Sequence, residues 1–195
     1  MPAVIILFAI LAAALILVVA AGFRIVRPFE QGLIELLGRY QRTVSSGLRW
    51  VMPFVKRLTK VDMREQVIDV NPQEVITKDN VTIKVNAVIY FNVMNPVDAT
   101  IKVANYMTAT SLYAQTSLRN ILGQHELDQI LAERETIGQA LQRIIDQATD
   151  AWGIKVSAVE VEDIELPEEM RRAMAKQAEA ERERRAKVIA TEGEH

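Results

Sequence analysis

Twenty consecutive positions near the start of the chain, Val4 to Phe23 (VIILFAILAAALILVVAAGF), carry no charge, no side-chain amide and no proline. At about 1.5 Å per residue such a run makes a helix roughly 30 Å long, the thickness of a bilayer's hydrocarbon core. A soluble helix of that length keeps a polar face, and this run has none. The pattern predicts a membrane-spanning helix that includes Val4, Leu7, Leu11, Leu15, Val18 and Phe23. Two other readings compete with it. A cleaved signal peptide begins with a basic segment and has a shorter apolar core; here only Met-Pro-Ala precedes the run, although Ala20, Ala21 and Gly22 resemble a cleavage site. A hairpin that returns to the same side needs a central Pro or Gly bend, which the run lacks. Arg24, Arg27, Arg39 and Arg42 follow the run and no basic side chain precedes it, so the positive-inside bias places the following domain in the cytoplasm.

Beyond the anchor the pattern becomes mixed. GLIELLGRY, between Gly32 and Tyr40, suits a half-buried strand. Ser45-Ser46-Gly47 is a turn, and the apolar LRWVMPFV that follows is demoted to an edge or loop by Pro53. Lys60 to Val70 reads as a strand ended by Asn71-Pro72. From Val81 to Phe91 the chain alternates: Val81, Ile83, Val85, Ala87, Ile89 and Phe91 share one face, and Val88 is the one lapse on the other. At Asn95-Pro96 the period changes to that of a helix, with Asn95 as the cap and Pro96 in the first turn. Leu112, Leu118, Ile121 and Leu122 form one helical face closed by Gly123; ELDQIL is a short turn. Ile137, Leu141, Ile144, Ile145, Ala148 and Trp152 form a second face closed by Gly153. Ile154 to Ile164 returns to strand.

The last segment, from Pro167, is dominated by Ala, Glu, Arg, Lys and Met. Glu168–Arg172, Glu181–Arg185 and Glu183–Lys187 are i,i+4 pairs in the favourable order. Its apolar seam is thin: Met170, Ala173, Met174, Ala178, Val188 and Ile189. Small residues let helices approach closely, so the segment reads as the start of a helix that packs laterally against copies of itself, with a solvated tail as the alternative. The ending Thr-Glu-Gly-Glu-His has no clear terminator, as expected of a truncated longer helix.

The fold class is therefore α+β: a transmembrane helix at 1–23, a domain at 24–165 with a β-rich part (24–95) and an α/β part (96–165), and a long Ala/Glu/Arg-rich helix at 166–195. The formal net charge is −2, from 23 Lys and Arg against 25 Asp and Glu, which gives no global basic excess for nucleic acid. Locally the balance differs. Residues 24–64 hold nine lysines and arginines against Glu30, Glu35 and Asp62. Arg24, Arg27, Arg49, Lys56 and Arg57, with the amphipathic Trp50 and Phe54, are candidates for contact with a membrane surface.

Candidate chemistry is sparse. With no cysteine, disulfides, thiolate nucleophiles and cysteine metal sites are excluded. The two histidines, His125 and His195, are far apart; Asp79 and Asp163, or Glu160 and Glu162, are carboxylate pairs of the kind found on a solvated strand face. Ser45, Ser46 and Ser117 lack a local base and orienting group. No catalytic residue, metal site or cofactor is expected.

Several stretches resemble the stomatin (slipin) branch of the stomatin/prohibitin/flotillin superfamily, whose domain is known as SPFH or band 7. They are GLRWVMPFVKRLTKVDMRE (47–65), NPQEVITKDNVTIKVNAVIYFNV (71–93), SLRNILGQHELDQILAERE (117–135) and the run from Asp150 to Glu194 that begins DAWGIKVSAVEVEDIELPEEMRRAMAKQAEAE. The resemblance implies a band-7 domain at a membrane, a helical continuation that behaves like a coiled coil, and large homo-oligomers that organise lipid microdomains or modulate channels and membrane proteases without enzymatic activity. In prokaryotes it implies NfeD-type membrane proteins as partners. The anchor departs from the vertebrate pattern in lacking a long cytosolic segment and a proline bend, which favours a single-pass prokaryotic-type slipin at the cell membrane. Two alternatives accompany the scaffold reading: a dedicated regulatory partner of an NfeD-type protease or a channel, and a membrane-tethered hydrolase drawing on Ser45, Ser46, Ser117 and His125. Expected partners are membrane lipids and further copies of the chain, and no nucleic acid.

Overall fold

The structure, a computed structural model, describes the backbone of residues 2–192 and, within it, the side chains of 6 and 10–187. The chain opens with α1 (Pro2–Ala21), a 20-residue helix. Val4 and Leu7 lie outside the described side chains; Leu11, Leu15 and Val18 project from α1 and are exposed. Phe23, expected inside the apolar helix, instead opens β1 (Phe23–Val26), because the chain turns at Gly22 and Phe23 takes a ladder partner. Among the described residues, no helix is long and apolar enough to cross a membrane. The side chains described in α1 cover a shorter stretch than the helix itself.

Every strand pairing that follows is antiparallel. β2 (Glu30–Leu36) lies between β3 (Arg39–Val44) and β5 (Lys56–Asp62), while β4 (Gly47–Trp50) pairs with β1 as a separate two-stranded ribbon. Val26, Ile34, Val44 and Val51 form a small core between them. The strand expected over Lys60–Val70 is two strands in two sheets. β5 ends at Asp62, and β6 (Gln66–Ile76) starts after a break at 63–65. β6 also runs through Asn71-Pro72, where a stop was expected. The register shifts there, between Val70 and Gln73, and β6 is an edge strand, so the missing N–H of Pro72 falls in a bulge and breaks no central ladder.

β7 (Thr82–Val93) is the centre of the main sheet, ordered β6-β7-β8, with β8 being Ile154–Glu165. Its alternation is as expected: Ile83, Val85, Ala87, Ile89 and Phe91 are all buried. Because β7 pairs along its length with β8, the sheet joins residues on both sides of the boundary expected at 95/96. After β7, Asn95 caps α2 (Pro96–Ile101), its side chain accepting from the N–H groups of Val97 (3.1 Å) and Asp98 (3.3 Å). Then come α3 (Tyr106–Leu122), α4 (Leu127–Ala132) and α5 (Arg134–Thr149). The segment expected as a turn is thus α4, held by a capping box between Glu126 and Gln129 and by burial of Leu127 and Ile130.

α3 packs over β6 and α5 over β8, side by side. Their buried faces are Thr110, Ala114, Ser117, Leu118 and Leu122 on α3, and Ile137, Leu141, Ile145 and Thr149 on α5. Leu112, expected on the core face of α3, is exposed: the small residues Thr110, Ala114 and Ser117 take the sheet side instead, bringing the helix close to β6. A single 3₁₀ turn, Asp150–Trp152, ends at Gly153 with φ +68°, where a side chain would be strained. A Cβ there would also lie 2.6 Å from that of Asn95. The carbonyl of Gly153 accepts from both Met94 (2.8 Å) and Asn95 (3.0 Å), tying the end of β7 to the start of β8.

β8 leads through Leu166 and Pro167 into α6 (Glu168–Glu192). The three expected i,i+4 pairs are present, at 3.3 Å (Glu168–Arg172), 3.2 Å (Glu181–Arg185) and 3.6 Å (Glu183–Lys187).

Candidate functional site: the junction of helix and domain

The residues that connect α1 to the domain are locked together by hydrogen bonds. A helix ends with carbonyls that lack intrahelical partners. Here Val19 O accepts from Gly22 N (3.2 Å) and from the indole Nε1 of Trp50 (3.1 Å), and Gly22 O accepts from Val51 N (2.8 Å). Gly22 is required by this contact, since a Cβ on it would lie 2.5 Å from Trp50 Nε1. Trp50 thus caps α1 from β4, thirty-one residues further along.

The ribbon that carries Trp50 is two-faced. Phe23 pairs with Trp50 and Ile25 with Leu48, so all four share one face. They are 49%, 48%, 66% and 63% exposed, and a contiguous apolar surface of this kind marks a site that meets membrane or protein. On the opposite face Val26 enters the small core and Arg24 faces Arg49. Arg49 donates to Ser45 O and Oγ (3.3 and 3.1 Å). Phe54, at 96% exposed, projects from the β4–β5 turn in the left-handed region (φ 70°), and Leu37 does the same from the β2–β3 turn (φ 49°, 79% exposed). Bulky side chains seldom adopt this backbone conformation. The two turns are joined by Leu37 N donating to Val55 O (3.1 Å), and Lys56 and Arg57 line the hollow they share.

Of the expected surface residues, Arg24, Trp50, Phe54, Lys56 and Arg57 therefore cluster around this junction. Arg27 does not join them: its guanidinium lies 5.9 Å from the Phe29 ring, whose face is also covered by Arg64 at 3.8 Å. Sequence reasoning missed Ile25, Leu37 and Leu48. The signal for Ile25 and Leu48 was present, as both sit two positions from an exposed aromatic on a short strand.

On α6 the expected seam divides. Met170 and Met174 are half-buried against the domain's own main core, because the helix starts directly beneath β8, whereas Ala173 and Ala178 are exposed. Val188 and Ile189 lie outside the described side chains.

The serines and His125 stay apart. Ser45 is engaged by Arg49, Ser117 is buried in α3, and His125 Nδ1 lies 2.8 Å from Ile121 O. No three His, Asp or Glu among the described residues are grouped to hold a metal ion.

One carboxylate ties the main sheet to the helices. Asp79, in the β6–β7 turn, accepts from Thr77 Oγ1 and from Leu127 N (3.1 Å) at the start of α4. The Thr77 hydroxyl is the largest influence and holds its pKa below the ordinary value; desolvation comes second and opposes it, and the Leu127 N–H adds a lesser lowering. A carboxylate whose folded pKa lies below its unfolded value of about 3.9 stabilises the fold above that value and loses the contribution as pH falls through the folded pKa. Asp62 is lowered too, by hydrogen bonds from Arg64. Melting temperature is expected to drop below about pH 4. Asp79→Asn should melt lower than the parent at pH 7 and show a shallower acid slope in circular dichroism melts. Parallel slopes for the two proteins would assign the acid loss to other carboxylates.

The SPFH domain / Band 7 family matches residues 24–195. Stomatin homologs from Pyrococcus abyssi and Pyrococcus horikoshii are 51% and 50% identical over 180 residues, covering 92% of this chain and 67% and 68% of their own lengths. The chain belongs to the stomatin branch of the SPFH/band 7 family. Mouse stomatin extends the likeness across kingdoms, with 49% identity over 173 residues, 88% of this chain and 61% of its own length. The stomatin-family chain described here thus spans about two thirds of these relatives. The family match begins at Arg24, within β1 and at the junction itself.

Proposed function

We propose that this stomatin-family chain is a non-enzymatic, membrane-anchored scaffold that assembles with copies of itself and organises the membrane or the proteins in it. The observation that carries the reading is the junction. A helix of twenty residues with an apolar sequence passes, through one residue, into a ribbon whose exposed face is apolar and whose surroundings are basic. α1 is then a single span, the ribbon lies at headgroup depth and the rest of the domain stands in the cytoplasm. Lateral packing falls to α6 beyond Met174, where small residues such as Ala178 are exposed and the helix is laced with ion pairs.

The mass of the chain in mild detergent, by light scattering with negative-stain imaging, tests the assembly. Large uniform rings or cages are expected. A monomer or small dimer would overturn self-assembly by this chain, and a regulatory subunit of an NfeD-type membrane protease or a channel would become the better reading, checked by co-purification with such a partner.

A further inference from the structure

At the foot of α1 the chain encloses a hollow of about 370 Å3. Ala21, the last residue of the helix, forms one wall, and Arg24, Lys56, Arg57 and Lys60 form much of the rest, with no acidic residue in the lining. Lys60 is engaged, donating to Ile25 O (2.6 Å) and lying 3.9 Å from Glu30. The side chains of Arg24, Lys56 and Arg57 make no hydrogen bond or ion pair with any described residue. Arg24 also stands directly opposite Arg49 in the β1–β4 ladder, and like charges facing each other across a ladder repel. Glu30 lies beside Lys60 and Glu35 stands opposite Arg57 in the β2–β5 ladder, so the four cations at the hollow outnumber the acids next to them, and a bound anion would relieve the excess positive charge. The carbonyl end of α1, where Val19 O accepts from Gly22 N and Trp50 Nε1, adds only a partial negative charge beside these cations.

We propose that this hollow is a binding site for the phosphate of an anionic glycerophospholipid headgroup. Its place in the fold selects a lipid over a free anion. One wall is the end of α1, whose exposed apolar side chains, Leu17 and Val18 among them, offer a surface along which acyl chains can lie while the phosphate sits among the cations. The inference rests on α1 being a membrane span, but its test does not.

The whole chain, carrying Trp152→Phe so that Trp50 is the one indole, is titrated in an uncharged detergent with dihexanoyl phosphatidic acid, and Trp50 fluorescence is followed. Saturable binding is expected, with dihexanoyl phosphatidylcholine inert and inorganic phosphate at least tenfold weaker. At about 1 kcal/mol per basic residue, each cation removed weakens binding about fivefold, so Lys56→Gln/Arg57→Gln loses roughly 25-fold. Arg24→Gln alone, expected to lose about fivefold, serves if the double variant does not fold. Arg39→Gln/Arg42→Gln, on exposed positions of β3 outside the hollow, should bind as the parent does. Equal losses in that control, or no saturable binding, would overturn the site. Inorganic phosphate binding as tightly as the lipid would overturn the lipid assignment. Since binding is read in detergent, its failure is separable from failure of the span, which membrane extraction tests on its own.

Discussion

Substitution of Leu11 and Leu15 by arginine should move the chain from the membrane pellet into the carbonate-extractable fraction. Both side chains are described and exposed, at 64% and 63%, on a helix with no polar face to turn toward a core. Leu11 lies at the middle of α1 and Leu15 one turn further on. An arginine near the centre of a spanning helix costs about 3 kcal/mol relative to the apolar residue it replaces, so the pair costs about 6 kcal/mol, more than 10⁴ in a partition constant. The domain itself should fold in the variant, since neither leucine touches its cores. Sucrose flotation followed by alkaline carbonate extraction reads the difference. If the parent chain is itself extracted by carbonate, α1 does not span, and its exposed apolar surface must be covered by other protein.

The second large effect is in the main core. Phe91→Ala is expected to destabilise the domain by about 3–5 kcal/mol, because truncating a buried phenylalanine loses its transfer energy and leaves a cavity. Phe91 is completely buried on the central strand, between Gln66 on β6 and Val156 on β8, and meets the ring of Tyr106 edge-on at 6.0 Å. The melting temperature should fall by roughly 10 °C for a domain of this size. Tyr106→Leu, which removes only the ring pairing and keeps an apolar filler, should lose about 1 kcal/mol. A Phe91→Ala loss as small as that of Tyr106→Leu would mean that the sheet and helices are not held through β7.

The contrast between these positions shows what could be read in the sequence. β7 was legible because its period of two is long and its environment uniform, with one face against helices along the whole strand. Asn95 was legible because capping is local: a side chain, two N–H groups and a proline within four residues. Asn71-Pro72 was misread because the same residues end a central strand but merely bulge an edge strand, and only the sheet order distinguishes the two. Leu112 was misread because leucine is the better core residue by composition. α3 nonetheless lies close enough to β6 that Thr110, Ala114 and Ser117 fill the gap. The junction depends on Trp50 and Val19 meeting across thirty-one residues, and no local pattern encodes that distance. The nine basic residues of 24–64 were visible as a charge excess; that four of them line one hollow was not.

Gly22 is the one residue between the end of α1 and the start of β1, and the Trp50 indole bolts the two together. There is consequently no swivel at this point. If α1 spans the membrane as proposed, a bilayer that thickens or thins would retilt the helix, and the tilt would pass into the ribbon through these hydrogen bonds. On that reading the chain would act as a lever with one arm in the lipid. In the proposed scaffold, membrane thickness would then be a mechanical input that sets how far neighbouring copies lean toward or away from one another.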